Sequence, residues 1–271
     1  MYGSFTLAYK YLQHFLTASN GKGHGTHSPF VFDFITQVLN RKNHYYAYET
    51  VEALREKLKL DKESIELEDM GAGSVVSPAK KRTIASLATH AAKSPKYGQL
   101  LFRMANYYHP QTILELGTSL GITTSYLALG NLKANVITLE GSTEVAKKAL
   151  HNFRLLQLDN IRLVQGNFDN TLVKVLEALA KIEMVFIDGN HREEPTLRYF
   201  RQLLPYMAAE SVMIFDDIHW SEEMERAWNE IRKHPLVMLT IDLFFVGLVF
   251  FNPAFKVKQD FSFRFYKLLT P

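Results

Sequence analysis

The 271-residue sequence contains no cysteine, which excludes disulfide bonds, thiolate metal ligands and a catalytic cysteine nucleophile. An excess of charge is also lacking, since 31 basic residues face 28 acidic ones and the formal net charge is only +3. So small an imbalance gives no electrostatic argument for a nucleic-acid partner. With 47% hydrophobic and 22% charged residues, we expect an ordinary soluble globular protein. The lack of cysteine is compatible with a reducing cytoplasm, where we expect this protein to be.

Long apolar runs are absent as well. The most apolar region, residues 236–251, is interrupted by Thr240 and Asp242, so a pair of buried strands explains it better than a membrane span of about twenty residues. In the N-terminal stretch, Lys10 and His14 interrupt the apolar pattern, which favours an amphipathic helix over a signal peptide. We therefore expect no membrane association.

Residues 1–92 show helical periodicity and no pattern of a central sheet. The first helix is followed by a second that begins at Ser28 and Pro29 and runs to Leu39, and by a third over residues 48–60. Three helices are too few for an independent core. We expect this extension to pack on the rest of the chain as a substrate cap or to mediate a homodimer.

Two loops of this extension contain chemically interesting residues. His24 and His27 lie in a glycine-rich loop, which is either a flexible connector or a loop that contacts substrate or metal. Residues 69–74, DMGAGS, resemble an acid-glycine ligand loop. A cofactor loop should be followed by a strand that ends in an acid near position 90, but that position falls in a helix-like run. We interpret DMGAGS as a turn or a substrate-side loop.

The chain is organised around residues 112–128, TILELGTSLGITTSYLA. A short apolar strand ends at Glu115, a loop with Gly117 and Gly121 follows, and the next apolar run can form a helix. This order begins a nucleotide-binding α/β unit, with the ligand at the carboxyl end of the strand. A carboxylate at this point would repel a pyrophosphate but suits a cationic sulfonium, which favours S-adenosylmethionine over NAD.

Four further strands are predicted after this unit, and the residues at their carboxyl ends are candidates for ligand binding. The second strand ends at Glu140, where an acid can accept hydrogen bonds from ribose hydroxyls. The third is followed by the loop Gly166–Asp169, the fourth ends at Asp188, and the fifth ends at Asp216 and Asp217. Acids at strand ends are often helix caps, but three that converge on one rim form an oxygen-rich site suited to Mg²⁺. A closing hairpin is predicted over residues 237–251, with a chain-exit turn after it at residues 252–255.

The motifs ELGTSLGITTSYLA and VITLEGS resemble those of class I S-adenosylmethionine-dependent methyltransferases, most closely the cation-dependent catechol O-methyltransferase-like group. The resemblance covers residues 94–252. It implies an α/β fold with a Rossmann-like seven-stranded sheet in the order 3-2-1-4-5-7-6, with helices on both faces. The methyltransferase domain would occupy residues 93–271, after the helical extension of residues 1–92.

The resemblance also implies roles for particular residues. A helix with Gly98 and Gln99 would pass over the methionine end of the cofactor. Asn167 and Phe168 would contact the adenine, although this loop also reads as an ordinary capped turn. The full set of expected cofactor-binding residues is Glu115, Gly117, Thr118, Ser119, Gly121, Thr123, Glu140, Gly141, Asn167, Phe168 and Asp188.

The metal ligands implied by the resemblance are Asp188, Asp216 and Asp217. One departure concerns the general base, because the related enzymes have a lysine where this chain has His191. His191 can accept a proton near neutral pH, serve as a further metal ligand, or lie in a solvated loop. We expect Asp188 and His191 to be the catalytic residues.

The sequence as a whole favours Mg²⁺-assisted O-methylation of a small-molecule hydroxyl. Methylation of RNA or another macromolecule is a second interpretation, but the basic runs that it would use, residues 80–82 and 147–148, are short. A module that binds S-adenosylmethionine without catalysis is a third.

Overall fold

The computed structural model describes residues 1–21, 28–67 and 81–265. The predicted loops with His24 and His27 and with residues 69–74 lie outside these ranges. In chain order the elements are α1 (Ser4–Thr17), α2 (Pro29–Asp33), a π-helical turn (Phe34–Leu39), α3 (Tyr46–Lys59), β1 (Ser64–Glu66), β2 (Lys81–Thr83), α4 (Ile84–His90), α5 (Pro95–Tyr108), β3 (Thr112–Leu116), α6 (Ile122–Gly130), β4 (Asn135–Glu140), α7 (Thr143–Leu155), β5 (Ile161–Gln165), α8 (Phe168–Glu177), β6 (Ile182–Ile187), α9 (Glu193–Leu203), a 3-10 turn (Leu204–Tyr206), β7 (Met207–Asp216), α10 (Glu222–Lys233), β8 (Leu239–Asp242), β9 (Val246–Phe250) and β10 (Gln259–Ser262).

The chain divides into two compact units. The middle unit is Lys42–Ile182, and the terminal unit combines Met1–Arg41 with Glu183–Pro271. The predicted helical extension is therefore shared between the two units, while its boundary after residue 92 stays a prediction. The predicted fold class is confirmed: the protein is α/β, with mostly parallel strands flanked by helices. Within the described ranges, no helix combines the length and apolarity that crossing a bilayer requires.

In the middle unit, β3, β4 and β5 pair in parallel, with β4 between the other two. This is the predicted order of strands one, two and three. The register aligns Glu115 with Thr138 and Glu140 with Gln165. The interiors of β3 and β4 are almost fully buried, since helices that follow parallel strands cover both faces of the sheet, whereas the edge strand β5 is only partly buried. The carboxyl ends of β3 and β4 thereby lie side by side.

The middle unit also contains α3, α4 and a small antiparallel hairpin of β1 and β2. Apolar side chains of α3 and α4 form one core with residues of α6, including Tyr48, Val51, Leu87 and Tyr126. The sequence did not predict this hairpin, because strands of three residues are too short to show an alternating pattern.

In the terminal unit, the strand order is β6–β7–β9–β8–β10. The first four correspond to the order predicted for strands four, five, seven and six. The predicted closing hairpin is confirmed as the antiparallel pair of β8 and β9. Asn252 does begin a turn, but the chain does not leave the sheet there, because β10 returns to pair in parallel with β8.

Candidate active site

The loop after β3 has an unusual backbone. Gly117, Ser119 and Gly121 all have positive φ, at 108°, 48° and 78°. The N–H groups of Gly117 and Thr118 both donate to the carbonyl of Leu139, at 3.0 and 3.1 Å, which ties this loop to the end of β4. Glycine adopts a positive φ most readily, which accounts for Gly117 and Gly121, while Ser119 adopts it despite its Cβ.

The carboxylate of Glu115 lies in the interior beneath this loop and is fully buried. Its Oε2 atom accepts hydrogen bonds from the hydroxyls of Thr124 and, at 2.6 Å, Thr138. The Thr118 hydroxyl lies 2.6 Å from that of Thr138 and extends the chain of hydrogen bonds into the loop. The structure thus places Glu115 where it supports the loop, and its predicted contact with the cofactor stays a prediction.

Glu140, at the end of β4, connects two loops. Its Oε2 atom accepts a hydrogen bond from the Ser119 N–H at 2.8 Å, and its Oε1 atom accepts one from the Ser142 N–H at 2.9 Å. Burial raises the pKa of Glu140, and the backbone donors, including Gly141, oppose that rise. Because a carboxylate has about four acceptor positions, Glu140 can also receive hydrogen bonds from a diol such as a ribose.

The raised pKa of Glu140 predicts an unusual pH dependence of stability. The native state holds this proton more tightly than the unfolded chain, in which the carboxyl group has its ordinary pKa of 4.5. Above about pH 4.5, and up to the raised native pKa, the free energy of unfolding therefore falls as pH rises. We expect Glu140→Gln to flatten this fall in urea unfolding curves recorded between about pH 4 and 7. The same change at the exposed Glu144 is the matched control, and equal slopes for wild type and Glu140→Gln would contradict the prediction.

The loop before α8 is a capped turn. The side-chain oxygen of Asn167 accepts a hydrogen bond from the Asp169 N–H at 2.9 Å, so Asn167 is the cap, and Phe168 is the half-buried first residue of the helix. Gly98 has an equally clear packing role in α5, since a Cβ there would lie 2.5 Å from the Tyr126 ring. The cofactor contacts predicted for these residues stay predictions.

A cluster in the terminal unit brings together Asp188, His191 and Asp216, each with a ligand atom within 4.8 Å of the others. Asp188 directly follows β6, and the buried Asp216 ends the adjacent strand β7. The Nε2 atom of His191 lies 3.4 Å from Oδ1 of Asp188, and both side chains are partly exposed. Two carboxylates and an imidazole are ligand types that bind divalent cations.

Asp217 is not part of this cluster. It adopts a left-handed backbone with φ of 53°, and its carbonyl accepts a hydrogen bond from the Trp220 N–H at 2.9 Å. The structure thus brings together two of the three predicted acids and adds His191. The spacing of three residues between Asp188 and His191 on one loop was the signal for this arrangement.

A second cluster in the terminal unit contains His14, His219 and Asp242. Burial lowers the pKa of His14. Burial would also lower the pKa of His219, but hydrogen bonds to Asp242 and Glu225 raise it overall. No sequence pattern indicated this cluster, because its members lie in distant parts of the chain.

Comparison with known proteins shows which family the central segment of the chain matches and which proteins are similar to it in sequence. Residues 114–218 match the methyltransferase domain family. The O-methyltransferase hkm8 of Aspergillus hancockii is 30% identical over 156 residues, which cover 54% of this chain and 60% of that protein. The chain spans 65% and 60% of the two curated relatives that it matches first, which is less than two thirds of either.

Solved structures have the same fold. The O-methyltransferase of Bacillus cereus, determined in complex with SAH, has a TM-score of 0.52 and 20% identity, over 80% of this chain and 96% of that one. TomG, an O-methyltransferase of Streptomyces achromogenes determined with SAM, has a TM-score of 0.54 and 16% identity, over 82% and 95%. The fold is that of class I methyltransferases. Residues 114–218 match a methyltransferase domain, in agreement with the resemblance described from the sequence.

Proposed function

We propose that this protein is an O-methyltransferase that uses S-adenosylmethionine and a divalent cation to methylate a hydroxyl of a small molecule. The observation that carries the proposal is the cluster of Asp188, His191 and Asp216, because a module that only bound the cofactor would not need it. The relatives named above support methyl transfer to oxygen.

The middle unit provides the groups that fit the cofactor. The glycines of the loop after β3 let a ligand approach the backbone, and Thr118 and Ser119 in that loop and Thr123 in the first turn of α6 add hydroxyls. Glu140, beside Gly141, retains acceptor capacity for the ribose, and Asn167 and Phe168 would border the adenine. When bound, S-adenosylmethionine supplies an electrophilic methyl group on a positively charged sulfur.

The terminal unit provides the candidate metal ligands. Asp188, His191 and Asp216 would hold Mg²⁺ or a similar ion, and a bound dication lowers the pKa of a hydroxyl that it contacts. Of the roles predicted for His191, the geometry supports that of a ligand, since its Nε2 atom faces the Asp188 carboxylate. The acceptor would be oriented by this cluster, and positioning of its oxygen for the transfer would supply much of the rate.

Methylation of RNA is the weaker alternative. Lys147 forms an ion pair with Glu144, and Lys148 pairs with both Asp61 and Glu63. These paired lysines form no continuous basic surface of the kind that binds a phosphate backbone. The arrangement favours a small-molecule acceptor.

The experiment that tests the proposal is calorimetry followed by an acceptor screen. Protein treated with EDTA is titrated with S-adenosylmethionine, and then with Mg²⁺ or Mn²⁺. We expect cofactor binding, and S-adenosylhomocysteine formation from a panel of phenols and catechols only when metal is present. Binding without turnover of any acceptor would favour the non-catalytic module, and turnover in EDTA would remove the metal from the mechanism.

The N-terminal extension contributes an exposed apolar stripe that supports a homodimer. Phe5, Tyr9, Leu12 and Leu16 of α1 are all exposed, Phe5 to 95%. The opposite face of the helix, which carries Leu7, Tyr11 and Phe15 as well as Lys10, packs inward, and Lys10 pairs with Glu225 at 2.9 Å. The exposed stripe is therefore a second apolar face that the fold leaves towards solvent. The 4-3-4 spacing of the stripe is that of a coiled-coil seam, so its expected occupant is α1 of a second copy.

A charge in this stripe should prevent association. We expect Leu12→Lys to convert a dimeric wild-type protein to a monomer in sedimentation velocity runs at about 50 µM, because a lysine cannot be buried unpaired in a helix interface. Leu60→Lys is the matched control, because Leu60 is 81% exposed but belongs to no stripe on α1. A monomeric wild type, or a dimeric Leu12→Lys variant, would contradict the dimer.

A further inference from the structure

We propose that the terminal unit contains a second metal site, separate from the Asp188 cluster, formed by His14 Nδ1, His219 Nε2 and the carboxylate of Asp242. The site would take a transition-metal dication of the Zn²⁺ type. It would fasten α1 to the sheet. The proposal does not depend on the methyltransferase activity.

The spacing of the three ligand groups fits such an ion. Nε2 of His219 lies 2.8 Å from Oδ2 of Asp242, and Nδ1 of His14 lies 3.6 Å from Oδ1 of the same carboxylate. All three ligand atoms lie within 4.8 Å of one another. Around a tetrahedral Zn²⁺ with bonds of about 2.0–2.1 Å, ligand atoms are roughly 3.3 Å apart. Small side-chain rotations would therefore suffice for coordination.

In each imidazole, the ring nitrogen that faces away from Asp242 lies close to a hydrogen-bond acceptor. Nε2 of His14 lies 3.3 Å from the carbonyl of Phe263, and Nδ1 of His219 lies 3.1 Å from Oε1 of Glu225. Each rear nitrogen can donate its proton to that acceptor, which leaves the lone pair of the other nitrogen directed at Asp242. Metal-binding histidines are typically oriented in this way by a carbonyl or carboxylate behind the ring.

The charges around the cluster also favour a cation. With both imidazoles neutral, two lone pairs face a carboxylate that already receives the Phe244 N–H at 2.8 Å. The second carboxylate, Glu225, is neutralised by Lys10 and receives the Tyr2 hydroxyl at 2.8 Å. The negative charge of Asp242 is thus the one left to be balanced. A proton shared between His219 and Asp242 balances it when no metal is bound, and a dication would replace that proton.

The donor set distinguishes this site from the Asp188 cluster. Two imidazoles and one carboxylate are the ligands of Zn²⁺ and similar transition metals, whereas Mg²⁺ prefers oxygen. The ligands come from α1, from the loop after β7 and from the end of β8. An ion bound there would connect three segments that are far apart in the chain.

The test uses the full-length protein, stripped with EDTA, and Zn²⁺ as the probe in calorimetry. We expect His14→Gln to weaken Zn²⁺ binding at this site at least about 100-fold, by analogy with the 10–100-fold cost of losing an outer-shell partner. Asp188→Asn should leave this site intact, which separates it from the other cluster. The matched control on α1 is Gln13→Ala, an exposed neighbour of His14 that should bind Zn²⁺ like wild type.

A second variant distinguishes loss of a metal ligand from unfolding of α1. His14→Cys replaces the imidazole with a thiolate ligand and should restore Zn²⁺ binding that His14→Gln lacks. With Co²⁺ it should also produce a sulfur-to-metal charge-transfer band in the near ultraviolet. Zn²⁺ binding of equal affinity in wild type and His14→Gln, or absence of binding in wild type, would overturn the proposal. Neither result would bear on cofactor binding by the middle unit.

Discussion

Replacement of Gly121 by alanine is expected to lower the melting temperature by roughly 5–15 °C and to abolish S-adenosylmethionine binding. Gly121 has a φ of 78°, where a residue with a Cβ costs about 1–2 kcal/mol. The new Cβ would also lie under 3.0 Å from the Phe153 ring, and overpacking of this kind costs about 1–3 kcal/mol. A chain of this size loses about 2–4 °C for each kcal/mol.

The effect on cofactor binding follows from the position of Gly121. Its N–H donates to the Thr118 carbonyl at 2.9 Å, and its own carbonyl receives the N–H and the hydroxyl of Ser125 in the first turn of α6. A shift of Gly121 therefore moves both the loop and the start of the helix. Thermal denaturation with and without S-adenosylmethionine measures both consequences.

Two other glycines serve as controls. Gly3→Ala should change little, because no atom outside its two chain neighbours lies within 4 Å of the new Cβ and the residue has ordinary backbone angles. Gly98→Ala introduces a clash with Tyr126 inside a helix but no positive φ, so it separates the cost of a clash from the cost of the backbone conformation. If Gly121→Ala bound the cofactor with wild-type affinity, the assignment of this loop would be wrong.

The features that the sequence predicted correctly depend on local patterns. The glycine loop after Glu115, the strand that ends at Glu140 and the strands that precede Asp188 and Asp216 all show as apolar runs followed by acids or glycines. Parallel strands carry this signal strongly because they are buried on both faces. The fold class and the positions of the strand ends could therefore be predicted without a structure.

The features that the sequence did not predict depend on tertiary contacts. The periodicity of α1 indicated a helix, but not that Lys10 and His14 would face inward while Phe5 faces solvent. The sequence also did not show where a side chain points after a strand ends. Asp217 has a left-handed backbone and lies outside the cluster to which Asp216 belongs. Strand β10 was missed because it follows a turn that read as the end of the sheet.

The largest effect on activity is expected for Asp188→Asn, which should reduce kcat/KM for the acceptor by at least about 100-fold and abolish the response to metal. The change is nearly isosteric and the side chain is only partly buried, so the fold should persist. An amide oxygen is a weaker ligand than a carboxylate for a hard dication. Loss of a ligand should cost at least the 10–100-fold that loss of an outer-shell partner costs.

Asp217→Asn is the discriminating comparison, because it tests the ligand set of the structure against the set implied by the resemblance. Asparagine is well suited to the positive φ at position 217, so the variant should fold normally. If Asp188, His191 and Asp216 hold the ion, Asp217→Asn should retain most of the metal-dependent activity and His191→Gln should lose most of it. The opposite pattern would restore Asp217 as a ligand and would leave His191 as the solvated loop residue that the sequence also allowed, neither a ligand nor the general base.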